Sequence, residues 1–148
     1  MFNAIVITRR SFLESGKDVS SKSLELRTKY STRYNILNFF ELPSNDIAID
    51  FDRNKIFNYV HQNHIEVIIV YDFSHISGKI NNIMSFIEYC NNKKINIVID
   101  NYNMDTLNKD KSVNTMVQTI LNIGADIAGI HKNNIKNRLN SGRAKYIQ

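Results

Sequence analysis

The chain has 148 residues, 43% of them hydrophobic, and a formal net charge of +5. This is the size of one domain with its own core, so the composition excludes wholesale disorder and weakly favours a polyanionic partner. The single cysteine, Cys90, excludes an internal disulfide and a cysteine-built zinc site. No apolar run approaches the roughly 20 residues of a transmembrane helix, and the first residues do not have the pattern of a signal peptide, so we expect a cytoplasmic (intracellular) protein with no membrane partner.

Short β-branched apolar runs predict buried strands, and longer segments with apolar residues three or four apart predict helices. In chain order the predicted elements are a strand at 4–8, a helix at 23–33, a strand at 35–42, a helix at 53–63, a strand at 65–71, a helix at 80–90, a strand at 95–99 and a long helix at about 113–145. Asp52 is predicted to cap the second helix, and residues 9–23 and 101–112 are predicted to be loops.

The alternation of strands with helices predicts the fold class. Continuous apolar runs are typical of a mostly parallel central sheet flanked by helices on both faces. We therefore predict a single α/β domain over residues 1–148 that ends in the long helix. In such sheets, sites form at the carboxyl ends of the strands, where residues 9–11, 72–77 and 100–106 follow.

The end of the first predicted strand carries two arginines and a serine, Arg9, Arg10 and Ser11. A serine hydroxyl needs a base or surrounding positive charge to act as a nucleophile, and arginine forks match the oxygens of a phosphate. The same residues also fit a turn-forming serine between two solvated arginines. Taken alone, this tripeptide favours the turn.

The last eighteen residues are basic. They contain no acid and five cations, which equal the whole net charge of the chain: Lys132, Lys136, Arg138, Arg143 and Lys145. Such a segment could lie along a phosphate backbone and bind DNA without reading its sequence. A solvated helix end, where cations suit the helix dipole, is an equally good interpretation.

Other candidate sites have weaker patterns. His61 and His64 could share a helix face but lack a third metal ligand, and solvated helix-end positions are favoured for both. Asp72, Asp100 and Asp105 follow strand ends and could hold Mg²⁺, although loop and cap roles are favoured. No glycine-rich nucleotide-binding motif is present, and we predict neither a metal nor a cofactor.

The order of several short motifs resembles that of the catalytic domain of serine site-specific recombinases, the resolvase/invertase family. The family's first strand ends in Arg-x-Ser, its first helix opens with Ser-Leu-x-x-Gln, and an Asp-Arg pair precedes the next helix. A Val-Val-Val-Tyr strand then leads to Leu-Asp-Arg-Leu-Ser-Arg, and an Asp-Thr pair comes before a long helix with a basic end. The matching residues here are Arg9-Arg10-Ser11, Ser23-Leu24-Glu25-Leu26-Arg27, Asp52-Arg53, Val67-Ile68-Ile69-Val70-Tyr71, Asp105-Thr106 and Ser141-Gly142-Arg143-Ala144-Lys145.

The resemblance implies a resolvase-like catalytic fold and DNA strand exchange without a metal or cofactor. By position, Ser11 would attack a DNA phosphate and form a 5′-phosphoserine link, while Arg9 and Arg53 would bind that phosphate and stabilise its charge. Arg10 and the five cations of the tail would contact DNA. The family implies a homo-oligomer, a dimer that forms a tetramer on DNA. Its members usually carry a separate DNA-binding domain after the long helix, and we predict none in this chain.

The chain departs from the family pattern at several positions. Arg27 replaces the family's glutamine, and the Glu-Arg pair of the long helix falls on Ala128 and Gly129. Where the family has Asp, Arg and Arg after the third strand, Ser74, His75 and Gly78 stand here. These replacements favour an alternative, a decayed or regulatory relative that keeps the fold and the oligomer surface without cleaving DNA. The retained Arg9, Ser11 and Arg53 favour an active recombinase, for which the three side chains are expected to converge on one face. An unrelated doubly wound phosphate-binding enzyme is a third, less favoured class.

Overall fold

A five-stranded sheet with the strand order β2-β1-β3-β4-β5 is the centre of the fold. The computed structural model describes residues 1–9, 16–43 and 49–124, without the side chains of residues 16–20 and 49–52. The strands are β1 (Phe2–Arg9), β2 (Tyr34–Leu42), β3 (Val67–Val70), β4 (Asn96–Ile99) and β5 (Met104–Asp105). The helices are α1 (Gly16–Tyr30), α2 (Ile49–Gln62), α3 (Ile80–Asn92) and α4, whose described part is 115–124.

The four longer strands are parallel, and β5 pairs antiparallel with β4. β1 lies between β2 and β3, and its residues 4–7 are no more than 1% exposed. Such a strand is covered on both faces, which is why its sequence is a continuous β-branched run rather than an alternating one. The predicted mostly parallel α/β sheet with flanking helices is confirmed.

Successive residues of the strands supply two separate clusters of core side chains, because neighbouring side chains point to opposite faces of a sheet. Ile5 and Ile7 face a cluster that contains residues of α2, α3 and α4. Ala4 and Val6 face a cluster that contains Leu26 and other residues near the end of α1. Three helices therefore cover one face of the sheet, and α1 covers part of the other.

Two helices begin earlier than predicted. α1 starts at Gly16, so the prediction of a loop as far as Ser23 is wrong for its second half. Residues 16–22 contain no apolar residue except Val19, so hydrophobic periodicity gave no signal there. α2 starts at Ile49, which puts Asp52 inside the helix and makes its predicted capping role wrong. An acid in the first turn still suits the helix dipole.

The segment predicted as a loop at 101–112 contains β5 and a bridge between Leu107 and Val113. These short pairings carry no apolar periodicity, so the sequence did not indicate them. Residues 115–124 are helical, and the rest of the predicted long helix, to about 145, lies outside the described residues, so its length stays a prediction. None of the described helices is both long enough and apolar enough to cross a membrane.

Candidate functional site

The sheet reverses its strand order between β1 and β3. The chain passes from β1 outward to β2 and then returns to the other side of β1 to form β3. The carboxyl ends of the two strands at such a reversal diverge and leave a crevice, which is the usual binding site in open α/β sheets. Arg9 is the last residue of β1, and Tyr71 follows the last residue of β3. The site predicted from the sequence therefore starts at the expected edge.

Arg9 ties together the segments that follow two other strands. Its side chain is only 5% exposed. One terminal guanidinium nitrogen donates to the carbonyl oxygen of Pro43, after β2, at 2.9 Å, and the other donates to that of Ile76, after β3, at 2.8 Å. The planar fork presents separate donor nitrogens in fixed positions to the two carbonyls, whereas an ammonium donates from one nitrogen on a flexible stem. The guanidinium thus fixes the geometry of the edge as well as bringing positive charge to it.

The amino-terminal half of α1 is held against the same edge. The hydroxyls of Thr8 and Ser23 lie 3.2 Å apart within hydrogen-bond distance, and both residues are buried. One residue earlier, the ammonium of Lys22 lies 4.9 Å from the centroid of the Tyr71 ring. A cation over an aromatic face is a stabilising arrangement. Lys22 therefore adds a positive charge near the end of β3 that sequence analysis did not include, because the resemblance starts at the next residue.

The block that differs from the family pattern forms a compact turn. Asp72 accepts a hydrogen bond from the backbone N–H of Phe73 at 2.7 Å and so caps a single 3-10 turn, Phe73–His75. His75 is 4% exposed, with its ring 5.7 Å from the ring of Tyr71. Ser74 and Gly78 are exposed. Of the three replacements, His75 alone is an ionisable side chain buried at this edge.

Arg53 contacts α3 rather than the segments that Arg9 contacts. Its guanidinium donates to the hydroxyl of Ser85 at 3.0 Å and to the carbonyl oxygen of Ser85 at 3.2 Å. It also lies over the ring of Phe57, at 5.5 Å from the centroid, and near two aromatic rings of α3. Among the described residues, Arg9 and Arg53 share no hydrogen-bond partner. The phosphate-binding role of Arg53 stays a prediction.

The remaining predicted site residues lie outside the described residues. They are Arg10, Ser11, Lys132, Lys136, Arg138, Arg143 and Lys145. Their roles, and the convergence of Ser11 with the two described arginines, stay predictions.

The weaker metal candidates have other partners. α2 ends at Gln62, so His64 does not share a helix face with His61, whose ring nitrogen lies 2.9 Å from the hydroxyl of Tyr89. Asp100 accepts hydrogen bonds from the ammonium of Lys29 and the hydroxyl of Tyr30, at 2.6 and 2.7 Å. Within the part of the chain that the structure describes, no three His, Cys, Asp or Glu side chains are grouped to hold a metal ion.

Comparison with known proteins agrees with this architecture. The sequence matches the family model "Resolvase, N terminal domain" over residues 4–148. The structure is similar to a resolvase family site-specific recombinase from Streptococcus pneumoniae, with a TM-score of 0.68, 14% identity and coverage of 98% of this chain and 97% of that one. It is also similar to the N-terminal catalytic domain of TP901-1 integrase, with a TM-score of 0.62, 13% identity and coverage of 88% and 97%. No curated protein sequence gave a match. Since the family model spans nearly the whole chain, the protein belongs to the resolvase family of serine site-specific recombinases and has the fold of their catalytic domain.

Proposed function

We propose that this chain cleaves and rejoins DNA, with Ser11 as the nucleophile and Arg9 and Arg53 as phosphate-binding residues. The observation that carries the proposal is the buried guanidinium of Arg9 at the strand-order reversal, bonded to the segments after β2 and β3. Ser11 follows two positions later in the sequence. Family membership supplies the reaction class, and the fold puts the end of β1 where such sheets usually bind their ligands.

The reaction conserves phosphodiester bonds. The Ser11 oxygen attacks a backbone phosphorus, an O–P bond to serine forms, and the bond from phosphorus to the 3′ oxygen breaks. The serine proton ends on the released 3′ hydroxyl, and the phosphate stays attached to the 5′ end of the other fragment. Rejoining is the reverse attack by a 3′ hydroxyl, so no external energy source is required. Arginines stabilise the charge that develops on the phosphate oxygens, for which single donors are worth roughly 10²–10³ in rate.

A covalent-trapping assay tests this proposal. The full chain is incubated with a nicked duplex whose cleavage releases a short fragment, so that the reverse step loses its 3′ hydroxyl. We expect a protein–DNA adduct that resists denaturant and that is absent in Ser11→Ala. An adduct that persists in Ser11→Ala would show that the nucleophile lies elsewhere. Absence of any adduct with the wild-type chain, in the presence of demonstrated DNA binding, would contradict the proposed cleavage.

The second candidate function is a regulatory relative that binds partners without cleaving DNA. Two observations favour it. The family's charged block is replaced by an exposed Ser74, a buried His75 and an exposed Gly78, and Arg53 is engaged by Ser85. For this function the trapping assay would give no adduct. A Ser85→Ala variant separates the two candidates further. It removes the hydroxyl partner of Arg53 and keeps the carbonyl partner, so it loosens the contact and is expected to increase adduct yield only in an active enzyme.

DNA binding by the tail and self-association through α4 complete the proposal. The five cations, Lys132, Lys136, Arg138, Arg143 and Lys145, are proposed to contact DNA phosphates, as is Arg10. If each tail cation releases about one counterion, neutralising all five should reduce the slope of log affinity against log salt by about 4.5. An unchanged slope would contradict contact between the tail and DNA.

The described part of α4 has two apolar faces. Val117 and Leu121 are buried in the core of the domain. Met116 and Ile123, seven residues apart, are 60% and 53% exposed on another side of the helix. We propose that this exposed stripe contacts a second copy of the chain in a dimer that forms a tetramer on DNA. Ile123→Glu should shift the mass measured by light scattering toward a monomer, whereas the matched Asn122→Glu should not; equal behaviour of the two variants would refute this interface.

A further inference from the structure

A cavity of about 190 Å³ lies at the amino edge of the sheet, the end opposite to Arg9. It touches the first residues of four parallel strands and the loop that follows β5. Its floor includes Tyr34, Val67 and Leu107, which are buried. From Phe2 to Arg9, β1 advances by seven residues, or roughly 23 Å. The cavity is therefore well separated from the proposed cleavage site.

Cations outnumber acids around this cavity. Arg33, Lys94, Lys109 and Lys111 line it together with two carboxylates. Among the described residues the one ion pair joins Lys29 to Asp100, so none of these four cations is in a direct ion pair. The guanidinium of Arg33 lies 5.3 Å from the centroid of the Tyr34 ring, and the charge of Lys94 acts on the nearby carboxyl of Asp110, whose pKa it helps to lower. The cavity is thus lined by four cations that are in no direct ion pair and by buried side chains.

Neither carboxylate of the cavity is joined to a cation by a direct ion pair among the described residues. Glu66 lines the cavity near the start of β3 and makes no ion pair with the lysines. Burial raises the pKa of Asp105, an effect that a hydrogen bond from Asn96 and the charge of Arg33 partly offset.

Two of the four cations occupy unfavourable backbone conformations. Lys94 has φ of 59° and Lys111 has φ of 68°, in the left-handed region where Gly or Asn is usual. Lys94 follows α3 and donates its backbone N–H to the carbonyl of Asn91 at 3.1 Å, as a helix-capping residue does. Side chains kept at strained positions cluster at functional sites. Here both strained lysines line the same cavity.

We propose that this cavity binds a small phosphate monoester, whose phosphate contacts Lys94, Lys111 and Arg33 and whose organic group packs on Tyr34. A phosphate monoester carries close to two negative charges at neutral pH, which matches the excess of cations. The volume of about 190 Å³ is large enough for a phosphate that carries a small ring. The same chemistry is presented by a free phosphorylated metabolite and by the 5′-phosphate end of a DNA strand.

The test uses the full chain and phenyl phosphate as probe, followed by phosphorus NMR line broadening and by calorimetry at constant ionic strength. We expect saturable binding that weakens at least tenfold in the double variant Lys94→Asn, Lys111→Asn. Asparagine tolerates the positive φ, so this variant loses charge without a new backbone strain. The matched control is Lys93→Asn, because Lys93 lies beside the Tyr89 ring and does not line the cavity. Its affinity should change less than twofold.

Each outcome decides the proposal. Absence of saturable binding, or an equal loss of affinity in the control variant, would overturn it. Displacement of phenyl phosphate by a 5′-phosphorylated duplex, but not by the same duplex with a 5′ hydroxyl, would support the site and identify a DNA end as the source. If neither duplex displaces phenyl phosphate, the result would support the site and identify a free phosphorylated metabolite as the source. Circular dichroism checks that all variants remain folded.

Discussion

Replacement of Arg9 by lysine tests the structural role of the guanidinium in the proposed site. Among the described residues, Arg9 donates charged hydrogen bonds to the carbonyl oxygens of Pro43 and Ile76. Each bond of this kind contributes about 1.5–3 kcal/mol. An ammonium can keep one of them, so Arg9→Lys should lower the free energy of unfolding by about 2 kcal/mol. Arg9→Met loses both and should cost roughly 3–6 kcal/mol, a large share of a typical domain stability of about 5–15 kcal/mol.

Urea unfolding followed by circular dichroism measures these losses. With a slope of about 2 kcal/mol per molar urea, Arg9→Lys should lower the midpoint by roughly 1 M. The matched control is Arg27→Lys, because Arg27 is an exposed residue of α1 whose guanidinium only approaches the Phe39 ring. Its stability should change by less than about 0.5 kcal/mol. Equal midpoints for Arg9→Lys and the wild type would refute the reasoning that the fork holds the two segments.

The other predictions concern groups away from Arg9. Tyr30→Phe removes a 2.7 Å hydrogen bond to Asp100 and should lower the free energy of unfolding, measured in urea, by about 1.5–3 kcal/mol. Lys29→Met removes a half-exposed ion pair to the same carboxylate and should lower it by only about 0–1 kcal/mol. A larger loss in Lys29→Met than in Tyr30→Phe would contradict this ranking. Burial raises the pKa of Cys90 to about 12, so a thiol reagent at pH 8 should react with it only after denaturation. Reaction in the native protein would show that the thiol is accessible. The pKa of Asp105 is raised in the folded state, so the folded chain binds its proton more tightly and stability falls as the pH rises above the unfolded value of 3.8. Asp105→Asn should therefore gain stability relative to the wild type between pH 4 and pH 7, and a constant difference across this range would refute the shift.

The sequence predicted the sheet well because hydrophobic burial determines it. β1, β3 and β4 are continuous β-branched runs, and they are buried on both faces as that pattern requires. The start of α1 was missed because residues 16–22 are polar and present almost no apolar periodicity. β5 was missed because a two-residue pairing depends on the position of β4 rather than on its own composition.

The site was only partly predictable from the sequence. The position of Arg9 at the carboxyl edge follows from the strand prediction, since the last residue of a parallel strand is fixed by topology. Its two carbonyl partners lie 34 and 67 residues away along the chain, and no local pattern encodes such contacts. The engagement of Arg53 by Ser85 has the same origin, because it depends on how α2 and α3 pack. Tertiary contacts therefore decide which of the sequence-predicted charges are available to a phosphate.

Mapping the covalent adduct to one residue tests the central claim most directly. Trypsin cuts after Arg10 and Lys17 and releases a seven-residue peptide that contains two serines, Ser11 and Ser15. After the trapped DNA is trimmed by nuclease, fragment-ion mass spectrometry assigns the remaining nucleotide to one of them. We predict that the nucleotide is on Ser11, joined through a 5′ phosphate, and that Ser15→Ala leaves the yield unchanged. A nucleotide on Ser15, or on any other peptide, would contradict the assignment of Ser11 as the nucleophile.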